Sequence, residues 1–590
     1  MKKITYSFFL FAKSYVWEIL IIILLNFMFV NYFVTNETTI KSDGEGYYDY
    51  LPSLFIRHDF IRLHTNQKSH PQLYERINEK KCYNDYQGLK VNKYPCGTAL
   101  LLTPFYGIAT IISNNTEPNS DGYEIVYHKW VLYAALFYVF LTLLFFKKIL
   151  ALYNIDYVNI TLSQFFLVFS TSILHYANQE AAFSHVYSLF AITAFMYFSK
   201  AYFINYRNKN FYWACLFLGL IIILRQVNVI IIFIIPFLAE SPENLKTGFE
   251  TVFKRTSVLI KGIAITACLI SIQCIAWYLQ TGSLFVYSYQ NESFNFFKPE
   301  LINILFSYKK GLFVYAPILV IALLGLVRLF LNKKFYLAYT WLLFFSVCTY
   351  VLSSWWSWFY GDSFGLRAYI DFYSIFFIIF AILLNHLNLW IKTPLLIICL
   401  LTVTLNIIQT YQYKAFILHY KNMDKQKYWD IFLKTDDKYI GLVWKIKYDY
   451  SDYDTLDVIQ MNTISIRPQQ EKNILSITCD SIKNHDKCTL IQVSFLNSFN
   501  ESNNSWIEFD MTNTTNSMYN FNNNNIPLIN FKEDKFETYQ KGLYNFKTTS
   551  LRPNSVLKLI VHNQEDTLLL KKFKVIFFKK VKNINTMEKY

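Results

Sequence analysis

Charged residues are scarce in this chain. Only 16% of its 590 residues are Asp, Glu, Lys or Arg, whereas a soluble globular chain carries about 25%. Hydrophobic residues make up 54% of the sequence and aromatic residues 19%. A chain with so little charge and so many Phe and Tyr residues is not typical of a soluble protein and is expected in lipid.

The sequence also lacks several signatures of other protein classes. It contains no glycine-rich phosphate loop, no Ser–His–Asp order and no Cys-x-x-Cys motif. The basic start, Met1-Lys2-Lys3, is followed by no small-residue cleavage site, so we expect an uncleaved first helix. The net charge of +15 does not predict a nucleic-acid partner, because Lys and Arg lie between hydrophobic runs, where they indicate topology.

Long apolar runs predict a polytopic α-helical membrane protein, since a bilayer-crossing helix needs roughly 17 to 25 apolar residues. The clearest candidate spans are residues 19–34, 130–146, 158–174, 186–198, 263–279, 312–327, 336–352, 372–384 and 393–408. The stretch 211–238 is interrupted at Arg225-Gln226. If both of its basic flanks are cytoplasmic, it is a hairpin of two short helices with Arg225 near the outer turn. The positive-inside rule then predicts about eleven transmembrane helices, a cytoplasmic N-terminus and an extracytoplasmic C-terminus.

Two large regions lie outside the predicted spans. The first, residues 35–129, contains an apolar segment at 98–113 that we expect to be an interfacial helix on the outer surface. The second, residues 411–590, shows short alternating segments at 475–478, 489–495, 506–509, 556–561 and 573–578. These predict an extracytoplasmic, β-rich soluble domain folded as a β-sandwich, with an Asn-rich loop at 513–525. The predicted domains are therefore 1–410 and 411–590.

The cysteines agree with this topology. Five of the nine lie inside spans, where a thiol behaves as a small apolar group. The other four form two local pairs, Cys82 with Cys96 and Cys479 with Cys488, which predict two disulfides in an oxidising compartment.

A short acidic loop follows the first span. Residues 42–48 read SDGEGYY, so that Asp43, Glu45 and Asp49 lie among glycines and beside Tyr47 and Tyr48. A carboxylate at this position can act as a general base toward a hydroxyl or an amine. The alternative is a loop that is merely solvated. The position of the loop and its aromatic neighbours favour a functional role.

Basic residues recur on the same predicted face. Arg225, Lys309, Lys310 and Arg367 oppose the positive-inside rule there, and an anionic ligand such as a phosphate would explain them. For Arg225 the alternative is an ion pair with a loop carboxylate. Lys309 and Lys310 could instead face solvent or lipid headgroups.

Aromatic and acidic residues accompany these cations. The run that contains Trp356 suits an interfacial belt or a sugar-stacking surface, and the adjacent Asp362 and Asp371 favour the wall of a site.

A further outer cluster contains His175, Glu180 and His185. Their spacing gives no helical i, i+4 register, so we interpret them as substrate contacts or structural residues and predict no metal site. No cofactor is certain from the sequence, and a divalent metal has no support in it.

Three segments of the sequence resemble the GT-C class of membrane glycosyltransferases. They are residues 42–48, 93–101 (KYPCGTALL) and 224–228 (LRQVN). The similarity is to the bacterial branch related to protein O-mannosyltransferases and lipid A aminoarabinose transferases, and it covers roughly residues 15–410. Segments 305–317 and 355–372 resemble loops of uncharacterised bacterial members.

The resemblance implies an inverting transfer of a sugar from a polyprenyl-phosphate carrier. The reaction would take place at the outer face of the bacterial cytoplasmic membrane, with a glycolipid, a glycan or a protein as acceptor. The C-terminal domain lies outside the resemblance and would bind acceptor, glycan or a partner.

Carried onto this sequence, the resemblance makes Asp43 the base with Glu45 as its substitute. The family often has adjacent acidic residues, but Gly44 separates these two, which leaves open which carboxylate acts. Further expected contacts with the lipid phosphate or the substrate are Arg225, Lys309, Lys310, Arg367, Tyr47, Tyr48, Asp49, His175, Glu180, Trp356, Asp362 and Asp371.

Two other functions compete with this one. A transporter or flippase of a lipid-linked saccharide predicts charged residues deep within the spans, and the span cores contain almost none. A membrane-anchored glycan-binding protein would not need about eleven spans.

Overall fold

The computed structural model describes residues 14–28, 39–61, 82–116, 120–436, 439 and 443, and in the C-terminal part residues 453–467, 470–484, 488, 490–497, 506–513, 526–527, 540–547, 555–563 and 568–580. The chain divides into two compact units. The first comprises Met1–Lys414 with Met423–Tyr428, and the second comprises Ala415–Asn422 with Trp429–Tyr590.

Among its described residues, the first unit begins with four helices and a two-stranded sheet, and the acidic loop forms the second of these helices. They are α1 (Val16–Met28), α2 (Asp43–Tyr48), α3 (Tyr50–Phe55), the antiparallel pair β1 (Tyr83–Tyr86) and β2 (Leu89–Asn92), and α4 (Gly97–Thr116). The expected helix at 98–113 is therefore present, and its position on the membrane surface stays a prediction.

Helices of 4 to 28 residues follow in the described part of this unit. They are α5 (Ile125–Leu152), α6 (Tyr157–Phe169), α7 (Ile173–Tyr176), α8 (His185–Asn205), α9 (Asn208–Leu224), α10 (Ile235–Ala239), α11 (Pro242–Lys254), α12 (Thr256–Thr281), α13 (Leu301–Phe306), α14 (Leu312–Tyr315), α15 (Ile318–Leu331), α16 (Phe335–Ser353), α17 (Tyr373–His386) and α18 (Leu389–Lys414). Two 3₁₀ helices, Gln226–Ile234 and Arg367–Phe372, precede α10 and α17, and α19 (Lys425–Asp430) follows α18.

Several of these helices are long and apolar enough to cross a membrane. By length and composition the described residues contain five: Ile125–Leu152, Thr256–Thr281, Phe335–Ser353, Arg367–His386 and Leu389–Lys414. A sixth is counted if the bent pair Gln226–Ala239 and Pro242–Lys254 is one span. The chain is thus a multi-pass membrane protein, although the described helices do not reach the expected count of about eleven.

Burial distinguishes the central helix from the peripheral ones. In Arg367–His386, 94% of an apolar stretch of 18 residues is buried. The corresponding fraction is 22% for both Thr256–Thr281 and Leu389–Lys414. Many exposed residues of these two helices are large and apolar, among them Ile263, Ile275 and Leu401, as expected of a surface that faces lipid. Arg367 therefore lies at the start of the most enclosed segment.

The predicted interruption at Arg225 is present. Helix α9 ends at Leu224, Arg225 is extended with φ −155° and ψ 115°, and a 3₁₀ helix begins at Gln226. Gly97 comes close to this break, since a Cβ atom on it would lie 2.5 Å from the carbonyl oxygen of Ile223. The start of α4 is thereby packed against the point where Arg225 leaves the helix.

The C-terminal unit contains two antiparallel sheets. Their strands are β3 (Tyr453–Met461), β4 (Ile464–Ile466), β5 (Gln470–Thr478), β6 (Leu490–Asn497), β7 (Trp506–Asn513), β8 (Ile526–Pro527), β9 (Gln540–Lys547), β10 (Ser555–Asn563) and β11 (Leu568–Lys580). One sheet has the order β5-β10-β7-β8 and the other β3-β11-β6-β9, with β4 beside β11.

The alternating segments predicted from the sequence fall on β5, β6, β7, β10 and β11. Buried residues of both sheets, among them Leu559 on β10 and Val575 on β11, belong to one apolar cluster. The Asn-rich stretch after Asn513 lies outside the described residues.

The two predicted disulfides are not formed in this structure, which has Cys96 and Cys479 as buried thiols. Cys82 packs with Tyr47, Tyr83 and Tyr94, whereas Cys96 belongs to the main apolar core of the first unit. The expected pairing of Cys82 with Cys96 therefore fails because the two side chains face different clusters.

Candidate active site

Two glycines, Gly44 and Gly46, allow the acidic loop to pack closely against its neighbours. It folds into α2, and a Cβ atom on Gly44 would lie 2.9 Å from the Cβ atom of Ala182. A Cβ atom on Gly46 would overlap the ring of Tyr94. Only glycine allows α2 to pack this closely on both neighbours. The close packing directs Asp43, the first residue of α2, toward the start of the central helix.

Asp43 is held by two side chains. Its Oδ2 atom lies 2.6 Å from Nη2 of Arg367, and its Oδ1 atom accepts a hydrogen bond of 2.7 Å from the hydroxyl of Tyr94. Burial raises the pKa of the Asp43 carboxyl. The Arg367 guanidinium, the Tyr94 hydroxyl and Lys93 together lower that pKa by more than burial raises it, so the net pKa lies below the usual range. Asp43 is thus an ionised carboxylate.

Glu45 faces a different environment. Residues two apart on a helix point about 200° apart around its axis, so Asp43 and Glu45 lie on opposite sides of α2. Burial raises the pKa of the Tyr123 phenol, and the carboxylates of Asp49 and Glu45 raise it further. Of these two carboxylates, Asp43 is therefore the one that pairs with Arg367.

Asp49 belongs to a structural network. It is fully buried, and it accepts hydrogen bonds from Nη2 of Arg57 at 2.8 Å, from the hydroxyl of Tyr83 at 2.6 Å and from the hydroxyl of Tyr123. Three donors on one carboxylate secure the loop around α3, β1 and α5.

A second ion pair involves Arg225. Its Nη1 atom lies 2.9 Å from Oδ2 of Asp371, and the same oxygen accepts a 2.7 Å hydrogen bond from the amide of Asn228. The other oxygen of Asp371 lies 2.8 Å from Nδ1 of His185. Asp371 is fully buried and holds Arg225 at the break after α9. The alternative of an ion pair for Arg225 is thus realised, with a carboxylate from the central segment.

A third group contains His175, Glu180 and Lys310, all buried. Nε2 of His175 lies 3.7 Å from Oε2 of Glu180, beyond hydrogen-bond distance. Among the described residues, neither ring nitrogen of His175 nor Oε2 of Glu180 has a hydrogen-bond partner. Lys310 donates to the carbonyl oxygen of Ser363, and burial lowers its pKa to about 7 although Glu180 opposes that shift.

Arg367 links these groups. Its guanidinium lies over the ring of Phe183, 5.2 Å from the centroid, and it interacts electrostatically with both Asp43 and Glu180. Arg367, Arg225 and Lys310 thus each interact with a carboxylate: Asp43, Asp371 and Glu180, respectively. An anionic ligand would have to displace a carboxylate from a cation rather than fill an unpaired positive site.

Other predicted site residues are placed around this cluster. The ring of Tyr47 lies 4.7 Å from that of Tyr94, and Asp362 is exposed within electrostatic reach of Lys310. Lys309 lies 3.7 Å from the centroid of the Phe359 ring.

Two predicted contacts point elsewhere. The hydroxyl of Tyr48 donates to the carbonyl of Gly122 at 2.6 Å, inside the packing of the first loop. Trp356 is 58% exposed, and its indole nitrogen lies 3.4 Å from Glu292.

Tyr94, Asn228 and Lys93 also contact the site, although the sequence predicted no role for them. Tyr94 and Asn228 contact Asp43 and Asp371 directly. Lys93 pairs with Glu292 and lies 5.2 Å from the centroid of the Tyr289 ring. All three lie within the KYPCGTALL and LRQVN segments, and their position in these segments could have indicated that they belong to the site.

Within the described part of the chain, no three His, Cys, Asp or Glu side chains converge as a metal site requires. Among the groups brought together here, Asp43 offers a carboxylate that can take a proton, and Arg367, Arg225 and Lys310 offer cations that can stabilise negative charge.

The apolar helices and the C-terminal sheets define a multi-pass membrane protein with a β-sheet region at its C-terminus. The chain matches no protein-family profile and no curated protein.

Similar solved structures include the apo crystal structure of the oligosaccharyltransferase of Archaeoglobus fulgidus, with 11% identity and a TM-score of 0.38. A second is the archaeal oligosaccharyltransferase AglB from the same organism in complex with an inhibitory peptide and a dolichol-phosphate, with 10% identity and a TM-score of 0.39. Each similarity covers 71% of this chain and 58% of the other chain. The chain thus matches little more than half the length of these proteins.

Proposed function

We propose that the protein is an integral membrane glycosyltransferase of the GT-C type. It transfers a sugar from a polyprenyl-phosphate-linked donor to an extracytoplasmic glycolipid, glycan or protein, with Asp43 as the general base. The observation that carries this proposal is the 2.6 Å contact between Asp43, the first residue of α2, and Arg367, at the start of the central segment.

In the proposed reaction, Asp43 takes the proton of an acceptor hydroxyl as the acceptor oxygen attacks the anomeric carbon. The bond between that carbon and the phosphate oxygen breaks, and the lipid phosphate leaves with the electron pair. Attack from the face opposite the leaving group inverts the anomeric configuration. Arg367, Arg225, Lys309 and Lys310 stabilise the negative charge that develops on the phosphate.

Arg367 has two tasks in this scheme. While it is paired with Asp43, it weakens that carboxylate as a base, because it favours the ionised form. When the donor phosphate binds, Arg367 exchanges Asp43 for the phosphate, and Asp43 becomes more basic. The donor therefore prepares the base for the acceptor.

The remaining residues have contact or supporting roles. The buried polar atoms of His175 and Glu180 that make no hydrogen bond suit the hydroxyls of a sugar, and Tyr47 and Asp362 line its approach. Asp371 acts by holding Arg225, while Asp49 and Tyr48 support the loop.

The topology belongs to the same proposal. About eleven helices cross the bacterial cytoplasmic membrane, the N-terminus is cytoplasmic, and residues 411–590 form an extracytoplasmic β-sandwich domain that binds acceptor, glycan or a partner.

The test compares the envelope glycolipids and glycoproteins of cells that express the protein, cells that lack it, and cells with the Asp43→Asn variant. Mass spectrometry should find one sugar modification in the first cells alone, with the variant present in the membrane at normal level. Identical glycan profiles in all three strains would refute the proposed function.

A further inference from the structure

The helix α11 has features that the proposed reaction does not use. The chain axis turns by 118° between Gln226–Ala239 and Pro242–Lys254, so α11 does not continue the crossing that precedes it. The side chain of Ser241 caps its first turn by accepting a hydrogen bond from the backbone N–H of Asn244. Helix α12 starts at Thr256, directly after α11. The structure thus places a separate, well-formed helix between two apolar segments.

One part of the apolar face of α11 is packed against the protein. Gly248 and Val252 are buried, and a Cβ atom on Gly248 would lie 2.5 Å from the ring of Phe203. The hydroxyl of Tyr202 donates to the carbonyl oxygen of Gly248 at 2.7 Å. These contacts to α8 fix the rotation of α11 about its own axis.

The other part of the apolar face is uncovered. Phe249 is 45% exposed and Phe253 is 63% exposed, and their rings stack 6.3 Å apart. They lie one helical turn from each other, beside the buried residues, so that the apolar face continues from the protein core to the surface. On the following helix, α12, Ile260 and Ile263 are exposed as well.

Basic side chains border this exposed pair. Lys246 and Lys254 are 79% and 77% exposed, and both approach Glu250, at 3.9 Å and 3.3 Å. Lys246 lies within one turn of Phe249 on the polar edge of the helix. Long cationic side chains at such an edge can reach lipid phosphates while their methylene groups stay on apolar surface.

We infer that α11 is an interfacial helix that lies in the membrane surface, with Phe249 and Phe253 among the acyl chains and Lys246 and Lys254 at anionic phospholipid headgroups. An amphipathic helix with aromatic residues on one face and lysines at its edge is typical of this position. Helix α12, which follows directly in the chain, is long and apolar enough to cross a membrane and exposes Ile260 and Ile263, so lipid rather than a protein partner is the expected cover for the two rings. The inference does not depend on the reaction proposed above.

Photocrosslinking in the full-length protein tests where the rings lie. The photoreactive residue p-benzoyl-phenylalanine replaces Phe253 in one variant and Thr247, an exposed residue on the polar side of α11, in a matched control. Both proteins are placed in nanodiscs of phosphatidylcholine and phosphatidylglycerol, irradiated, and analysed for lipid adducts by mass spectrometry. We expect several-fold more adduct at position 253 than at 247. Equal yields, or more adduct at 247, would overturn the inference.

A second measurement tests the headgroup contact. The double variant Lys246→Gln with Lys254→Gln should retain less phosphatidylglycerol than the wild-type protein after purification from mixed lipid. Lys298→Gln, which removes an exposed lysine from a predicted outer loop, is the control and should retain the wild-type amount. Unchanged phosphatidylglycerol in the double variant would contradict the assigned role of the two lysines.

Discussion

Asp43 and Arg367 are 2.6 Å apart, and this ion pair determines how each residue can act. Burial alone would raise the pKa of the Asp43 carboxyl, while Arg367, Tyr94 and Lys93 together bring it below the usual range. The sequence identified both residues, because each is a charged group at an unusual position next to an apolar helix. Their pairing was not predictable, since only the folded chain brings residues so distant in sequence together.

Removing the cation should change the pH dependence of transfer. In Arg367→Gln, burial of Asp43 is opposed by fewer charges, so its pKa rises and the acid limb of kcat/KM moves to higher pH. Tyr94→Phe removes a single hydrogen bond and should move the limb in the same direction by less. An acid limb at the same pH in wild type and Arg367→Gln would contradict a base paired with this arginine.

The lowered pKa of Lys310 predicts that the KM for the donor depends on pH on the alkaline side. Its pKa is lowered to about 7, so the ammonium is protonated below pH 7 and loses its charge as the pH rises through that value. If it stabilises the donor phosphate, the KM for donor should increase above pH 7 in the wild-type protein. Lys310→Met should show a high KM that does not vary in this range, whereas Lys309→Met should keep the wild-type pH dependence.

At the scale of elements, the helix α2 shows what sequence patterns can and cannot predict. The order of apolar runs and basic flanks predicted the break at Arg225, and alternating residues predicted strands β5, β6, β7, β10 and β11. The short helix at 43–48 was not predicted, because two glycines disfavour a helix. Packing of Gly44 on Ala182 and of Gly46 on Tyr94 overrides that preference.

This packing can be tested with a pair of glycine variants. Gly46→Ala should destabilise the protein by about 1–3 kcal/mol, since its Cβ atom would overlap the Tyr94 ring. Gly107→Ala, within α4, is the matched control, because its Cβ atom would have no neighbour within 4 Å. That variant should be stabilised by about 0.5–1 kcal/mol. Thermal unfolding of both variants in the same detergent gives the comparison, and equal destabilisation would argue against the close contact.

At the scale of the whole molecule, the division into a helical unit and a β-sheet unit agrees with a change in composition that the sequence displays. Hydropathy predicts which segments are apolar, but it does not separate the buried central helix from the lipid-facing ones. That distinction depends on tertiary packing, which buries 94% of the apolar stretch in Arg367–His386 but 22% of that in Thr256–Thr281. Spacing along the chain also does not report which cluster a thiol faces, and Cys82 and Cys96 belong to different ones.

Reporter fusions test the proposed topology. Alkaline phosphatase, which is active only outside the cytoplasm, should be active when fused after Tyr590. The same enzyme fused after Arg207, in a predicted inner loop, should be inactive. Activity at Arg207 together with none at Tyr590 would invert the orientation and place Asp43 on the side opposite to the proposed reaction.

The most direct measurement of the central claim is the rate of sugar transfer in membranes that contain Asp43→Asn or Glu45→Gln at equal protein levels. A lost general base lowers the rate by about 10²–10⁴-fold, and we expect that loss for Asp43→Asn. Glu45→Gln should stay within a few-fold of the wild type, because Glu45 lies on the opposite side of α2 from Arg367. Undiminished transfer by Asp43→Asn, or a larger loss for Glu45→Gln, would contradict the account.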